Sequence, residues 1–333
     1  MTDEVENQPR RRWWRVIGLV ALAIVPLHLA IDAAYSAYVA RAAAGWEATT
    51  DRNADGVLEG CESYDLPAAG DAPTNTAILL VHGTNASPRH YDYIAPALAE
   101  RGYHCRVVRL PGFAEPVAKY SQTTAAQWLA TVRDELASLR GRFDRVGVVG
   151  HSLGGAVTIG VLLDDPDAAD FAVLLAPAIK VSSARSPLLS TRAWHEISEW
   201  TFVFTHVLHS PFPLDCRDPE KTSHPGGTPF TPRAVVDQLF TLMDANAPRA
   251  ADLTTPVIVV VAGDDHIVDT PAIEAYYEQI GATDKRLVEL PKSGHEVTLD
   301  WEWRDVVNAI TEGVSMGTQT ASRPTDDASG AAH

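Results

Sequence analysis

Three cysteines in 333 residues, Cys61, Cys105 and Cys216, are too few and too scattered to build a zinc cluster or a disulfide scaffold. They read as small buried hydrophobes, with a Cys61 to Cys105 bridge between neighbouring strands as the alternative. Basic residues are also short, 27 Lys and Arg against 43 Asp and Glu, for a formal net charge of -16. That deficit excludes nucleic acid as a partner, because nothing would neutralise a row of phosphates. No cofactor and no resident metal are expected. What is plentiful is apolar content: at 46% hydrophobic, the chain can bury a sizeable core as one large domain or two smaller ones.

The N-terminus has its own composition. Arg10, Arg11, Arg12 and Arg15 flank an apolar stretch from Trp13 to about Ala30, broken only by Pro26 and His28, long enough to cross a bilayer at about 1.5 Å per residue. Positive charge stays inside, so residues 1–12 are expected in the cytoplasm, 13–40 as a transmembrane anchor with its flank, and everything after Ala40 on the far side. Trp13, Trp14, Tyr35 and Tyr38 suit the membrane interfaces. A cleavable signal peptide is the competing reading, since Ala and Ser near 33–40 offer a small-residue cleavage site.

After a linker over 41–59, strand and helix alternate. Apolar runs at 77–81, 145–149, 171–176 and 256–262 read as buried strands, with 285–290 as a further strand and extended chain at 103–110. Helical patterns fall at 91–101, 123–140, 155–163, 271–280 and 300–313, with Trp128, Leu129, Val132, Leu136 and Leu139 on one face of the second. Such alternation predicts an α/β fold with a mainly parallel sheet covered on both faces. The core is expected over 60–181 and 256–313. Residues 182–255 separate two consecutive strands by far more than a crossover needs, which predicts a lid or cap insertion. Most of its aromatics (Trp194, Trp200, Phe202, Phe204, Phe212, Phe230, Phe240) are expected to pack the insertion's own core, with a few lining an apolar pocket. Residues 314–333 lack periodicity and read as a disordered tail.

The chemistry centres on Gly150-His151-Ser152-Leu153-Gly154, which follows an apolar strand and precedes an apolar helix. In a G-x-S-x-G turn the serine sits in strained backbone, and the positions two before and two after it come together, where only glycine fits. A serine hydroxyl needs a base, and the base needs an orienting acid. Both follow in chain order at the ends of later strands: Asp264 and Asp265 after the strand at 257–262, and His295 after the strand at 285–290. The N–H of Leu153, at the start of a helix, points where an oxyanion would form.

With these residues in view, the chain from about Gly60 to Gly313 resembles the α/β-hydrolase superfamily, in particular its bacterial carboxylesterase, monoacylglycerol lipase and serine aminopeptidase-like branch. The family pairs Gly-His-Ser-x-Gly with an aspartate before a short apolar turn and with a late Ser-Gly-His. By resemblance, Ser152 is the nucleophile, His295 the base and Asp265 the acid, because His266-Ile267-Val268 follows Asp265 as the family's turn does. Asp264 is the competing acid, and Asp269 a cap or surface group. Val81-His82-Gly83-Thr84 resembles the family's His-Gly-x segment and gives Thr84 the second oxyanion N–H, where relatives often carry an aromatic residue. Leu110-Pro111-Gly112-Phe113 resembles a loop bordering the site, with Phe113 as pocket wall or as packing. The resemblance implies hydrolysis of small-molecule carboxylic esters, of the acyl ester or monoacylglycerol and lysophospholipid kind, through an acyl-enzyme. Peptidase or amidase action, acyl transfer, and a non-catalytic ligand-binding role on the same fold are the alternatives.

One further motif stands apart. Asp51 to Glu62 satisfies the calcium-loop spacing D-x-N-x-D-G-x₅-E. A calcium hand needs a second helix after Glu62, whereas Glu62 to Pro67 reads as a strand stopped by proline, so a turn before a strand is the expected structure.

Overall fold

The computed structural model describes residues 8–69, 74–186, 188–210, 212–221 and 226–316. Of the expected cytoplasmic segment 1–12, residues 1–7 lie outside the described residues and 8–12 open the first helix; of the expected disordered tail 314–333, residues 317–333 lie outside them, while 314–316 are helical because the last helix runs on to Met316. The chain opens on a 41-residue helix, α1 (Gln8–Ala48), which continues through Pro26 and beyond the expected end of the anchor. Its C-terminal half is not bare: Val39 and Ala43 are buried, with Trp46 packed beside them. A loop at 49–62 leads into β1 (Tyr64–Leu66).

The rest of the core alternates as its apolar runs predict. In order come β2 (Thr76–Val81), a 3-10 turn at Pro88–Tyr91, α2 (Ile94–Glu100), β3 (His104–Val108), α3 (Val117–Tyr120), α4 (Ala125–Arg140), β4 (Arg145–His151), α5 (Leu153–Asp164) and β5 (Phe171–Leu175). Thr124 caps α4 with a capping box: its hydroxyl accepts from Gln127 N, and the Gln127 side chain accepts from Thr124 N. The insertion then supplies α6 (Thr191–Thr201), β6 (Val207–His209), β7 (Phe230–Pro232) and α7 (Arg233–Asn246). The core resumes with β8 (Val257–Ala262), α8 (Thr270–Gln279), β9 (Lys285–Leu290) and α9 (Trp303–Met316). Asp269 is the N-cap of α8, accepting from Ala272 N.

Seven strands form one sheet in the order β1-β3-β2-β4-β5-β8-β9. β1 runs antiparallel to β3 and every other pairing is parallel. Both faces of the central strands are covered, which is why β2, β5 and β8 are buried along their whole length and, Thr76 apart, apolar rather than alternating. One face carries α4, α5 and α8 with Trp128, Val157 and Ile273; the other carries α2 and α9 with Leu98, Val306 and Ile310. Each large aliphatic side chain so buried contributes about 1.5–3 kcal/mol relative to exposure. β6 and β7 pair antiparallel outside this sheet. Cys61, Cys105 and Cys216 are free and buried, so Cys61 and Cys105 pack as small apolar groups and are not bridged.

The insertion departs from expectation. Phe230 and Phe240 are buried, but Trp194, Trp200, Phe204 and Phe212 are exposed. Trp194 and Trp200 lie on α6, whose His195 is the side chain turned toward the protein: His195 Nε2–H donates to Asp237 Oδ1 of α7 at 2.6 Å, and the half-exposed Glu199 pairs with Arg233.

Candidate active site

Ser152 connects β4 to α5 with φ 53° and ψ -117°, backbone that an L-residue adopts only under constraint. Three hydrogen bonds impose it. Ser152 N donates to Leu175 O at 2.9 Å, and Ser152 O accepts from Ala156 N at 3.1 Å and Ala178 N at 3.0 Å. The two flanking glycines are there because the turn closes on itself: a Cβ at Gly150 would lie 2.5 Å from Gly154 O, and one at Gly154 would lie 2.3 Å from Val81 O. Leu153 is the first residue of α5, so its N–H has no acceptor within the helix.

The expected acid and base meet. His295 Nδ1–H donates to Asp265 Oδ2 at 2.8 Å, while Asp265 Oδ1 accepts from Ile267 N and Val268 N, each at 2.8 Å. The apolar turn after Asp265 thus holds its carboxylate in place. Asp264 points elsewhere: it is half exposed and pairs with Arg217 and His266. Burial disfavours ionised Asp265, but His295 and the two turn amides outweigh it and lower its pKa. For His295, burial disfavours the imidazolium, but Asp265, Glu296 and Asp215 prevail and raise its pKa to about 9.

Around this pair lies a set of buried polar residues that sequence reasoning missed. Asp215, from the insertion, accepts from His266 N at 2.9 Å and His295 N at 3.3 Å through Oδ2, and from Arg185 at 2.7 Å through Oδ1. Asp300 accepts from Gly294 N at 2.7 Å and Arg217 N at 2.8 Å, tying the base loop to the same stem. His151 Nε2–H donates to His295 O at 2.9 Å; burial drops its pKa to about 4, so it acts as a neutral tether. Glu296 pairs with His90 at 3.1 Å and, although burial opposes its charge, His90, His151 and His295 hold its pKa well below the usual range. Of these residues only His151 stands in a motif legible in the sequence, Gly150-His151-Ser152-Leu153-Gly154.

Ser152 and His295 line one cavity of about 500 Å³, together with Thr84, Glu296 and, from the insertion, Asp215, Phe212 and Phe240. Thr84 stands beside Gly83, where a Cβ would lie 2.9 Å from Ser152 Cβ, so the His-Gly-x loop passes directly against the serine. His82 is fully buried with its pKa lowered by desolvation to about 3; its Nδ1–H donates to Gly83 O at 2.9 Å and its Nε2 accepts from Leu110 N at 3.1 Å. Phe113 does not line the cavity. It packs in the core against His82, Tyr120 and Trp128.

The loop from Asp51 to Glu62 closes on itself. Asn53 Oδ1 accepts from Asp55 N and Val57 N, Asn53 Nδ2 donates to Glu62 Oε1 at 2.7 Å, and Gly56 takes φ 81°. β1 begins at Tyr64 where a calcium hand would need its second helix.

The family model described as serine aminopeptidase, S33, matches residues 72–302. The chain is 26% identical over 256 residues to the thermostable monoacylglycerol lipase of Bacillus sp. (strain H-257), spanning 77% of this chain and 95% of that protein. It is 24% identical over 233 residues to a carboxylesterase of Bacillus subtilis (strain 168), spanning 70% and 89%. Among solved structures, the monoacylglycerol lipase of Paleococcus ferrophilus superposes with a TM-score of 0.64 at 20% identity, covering 77% of this chain and 98% of that one. The order of strands, the serine turn and the matched span together mean that this chain has the α/β-hydrolase fold and belongs to the serine aminopeptidase S33 family.

Proposed function

We propose that the protein is a serine hydrolase of carboxylic esters, with Ser152 as nucleophile, His295 as base and Asp265 as the orienting acid. The observation that carries this reading is the 2.8 Å bond from His295 to Asp265, with His295 and Ser152 on the wall of one cavity. The relatives named above, a monoacylglycerol lipase and a carboxylesterase, support an ester of the acyl or monoacylglycerol and lysophospholipid kind. The apolar walls at Phe212, Phe240, Val236 and Leu239 suit the acyl chain.

The mechanism follows from the geometry. As Ser152 Oγ attacks the ester carbonyl, its proton passes to His295 Nε2, and the Nδ1–H bond to Asp265 fixes the tautomer that exposes Nε2. The negative charge on the carbonyl oxygen is met by the N–H groups of Leu153 and Thr84. His295 then protonates the leaving alcohol, and water attacks the acyl-enzyme by the same route in reverse.

In this reading α1 is a membrane anchor. Its described part includes a window, Ala23–Ala48, long and apolar enough to cross a bilayer, with a mean hydropathy of 1.3. Within it Asp32, Val39 and Ala43 are buried against the protein, while Ile24, Val25, Leu27 and Ile31 are exposed. The arginines before Trp13 keep the N-terminus in the cytoplasm and the hydrolase core outside it.

The test is labelling of the detergent-solubilised full chain with a fluorophosphonate, followed by turnover of esters of rising chain length and of aminoacyl amides. Labelling and ester turnover that vanish in Ser152→Ala are expected. Unlabelled wild type, or equal turnover by the variant, overturns the serine mechanism; preference for the amides overturns the ester assignment alone.

A further inference from the structure

The loop after β2 continues from Thr84 into Asn85, which takes φ 56°, left-handed backbone that asparagine tolerates better than most residues. Its side chain reaches two separate parts of the molecule. Tyr120 O–H, buried in the core, donates to Asn85 Oδ1 at 2.9 Å, and Asn85 Nδ2–H donates to Thr231 Oγ1 of β7 at 2.6 Å. One amide thus joins the hydrolase core to the insertion, next to the residue assigned the second oxyanion N–H.

The main chain repeats the connection. Asn85 O accepts from Thr228 N at 3.0 Å, and the insertion crosses the loop so closely that a Cβ at Gly227 would lie 2.7 Å from Asn85 O and one at Gly226 2.6 Å from Ser87 Oγ. Thr84, Asn85, Thr228 and Thr231 all line the cavity that holds Ser152 and His295. Thr84 adds no anchor of its own, because its Oγ1 is buried without a hydrogen-bond partner among the described residues. It is held instead by its neighbours: Gly83 against the serine turn on one side, and Asn85, tied to core and insertion, on the other.

We propose that Asn85 is a positioning residue for the oxyanion donor: by bridging Tyr120 and Thr231 it fixes the N–H of Thr84, so that the insertion braces the oxyanion loop. This rests on the reading of Ser152 as nucleophile and of Thr84 N–H as oxyanion donor. Such a donor works by being in place before the charge forms, and a misplacement of about 1 Å costs about 100-fold in rate. Loss of the bridge therefore weakens binding of the transition state and leaves binding of the ester itself unchanged.

The experiment compares Asn85→Gly, Thr231→Val and the double variant with wild type in the full chain. Glycine keeps the left-handed backbone and removes the bridge, while valine keeps the shape of Thr231 and removes only the acceptor. Each is measured on a p-nitrophenyl ester and with a trifluoromethyl ketone: Ser152 Oγ adds to the ketone carbon, His295 takes the proton, and the carbonyl oxygen becomes the oxyanion. In Asn85→Gly kcat should fall at least tenfold, and in Thr231→Val at least threefold, with KM within threefold and the ketone Ki rising in step with the loss of kcat/KM. The double variant should lie within twofold of Asn85→Gly, because both changes cut one bridge. Unchanged kcat and Ki in the single variants overturn the proposal, as does a loss confined to KM or losses that multiply in the double variant; if Asn85→Gly does not fold, Thr231→Val alone decides. A wild type that the ketone does not inhibit, or a Ser152→Ala variant with wild-type turnover, overturns the serine mechanism itself and is thereby told apart.

Discussion

The carboxylate of Asp215 accepts the backbone N–H of His295 at 3.3 Å, so a residue of the insertion holds the loop that carries the base. The same oxygen accepts from His266 N, which fixes the neighbouring acid loop. Asp215 is therefore a positioning residue, and its side chain is fully buried between Arg185 and Arg217. Asp215→Ala should cost about 3 kcal/mol, because it leaves two guanidinium groups facing an emptied buried site. Asp215→Asn should cost less and lower kcat by more than it changes KM. A urea midpoint together with steady-state kinetics checks both, and wild-type kcat in Asp215→Asn would contradict the positioning role.

Adjacent acids give a clean contrast. Asp265→Asn should lower kcat by about four orders of magnitude, because the amide presents the wrong partner to His295 Nδ1. Asp264→Asn, which disturbs a half-exposed pair with Arg217, should stay within a few-fold of wild type. Comparable losses in the two variants would remove Asp265 from its assigned role.

The pH dependence follows from the signs of the shifts. A base must be neutral to accept a proton, and His295 is raised to about 9, so kcat/KM should climb with pH through about 9. Its contribution to stability is complete below the ordinary value of 6.5 and is lost as pH rises through about 9. His82 and His151, lowered to about 3 and about 4, contribute stability that is complete above 6.5 and lost as pH falls through those values; Glu296 adds a further loss on the acid side. Urea midpoints should accordingly peak near pH 6.5 and decline on both sides. Urea midpoints still rising at pH 9, or a kcat/KM already level by pH 7, would contradict the charge assigned to His295.

Gly154→Ala probes the serine turn without touching a reacting group. Its Cβ would meet the main-chain oxygens of Val81 and His82 at 2.3 and 2.5 Å, and neither strand end can yield without moving the His-Gly-x loop. The variant should lose about 2 kcal/mol or more of stability and most fluorophosphonate labelling, in line with overpacking of a rigid site. Full labelling at wild-type rate would show that the loop accommodates the methyl group.

The strands at 77–81, 171–176, 257–262 and 285–290, the helix at 123–140 and the glycines around Ser152 were legible in the sequence, because each is set by local periodicity or by the backbone of a single turn. Ser152, Asp265 and His295 were legible for a related reason: each sits at the end of a strand in a short motif. Asp215, Asp300 and Asp32 gave no such signal. Their partners are far away in sequence, and an aspartate destined for burial looks like any solvated one until the fold brings N–H groups to it. Phe113 illustrates the same limit, since its loop motif pointed toward the site while the packing of Tyr120 and Trp128 drew it into the core. The sequence by itself thus determined the sheet, the serine turn and the acid and base candidates, all products of local chain geometry. Only the tertiary structure decided that Asp265 rather than Asp264 meets His295, that the insertion braces the base loop, and that α6 leaves Trp194 and Trp200 exposed, because each depends on which distant surfaces come into contact.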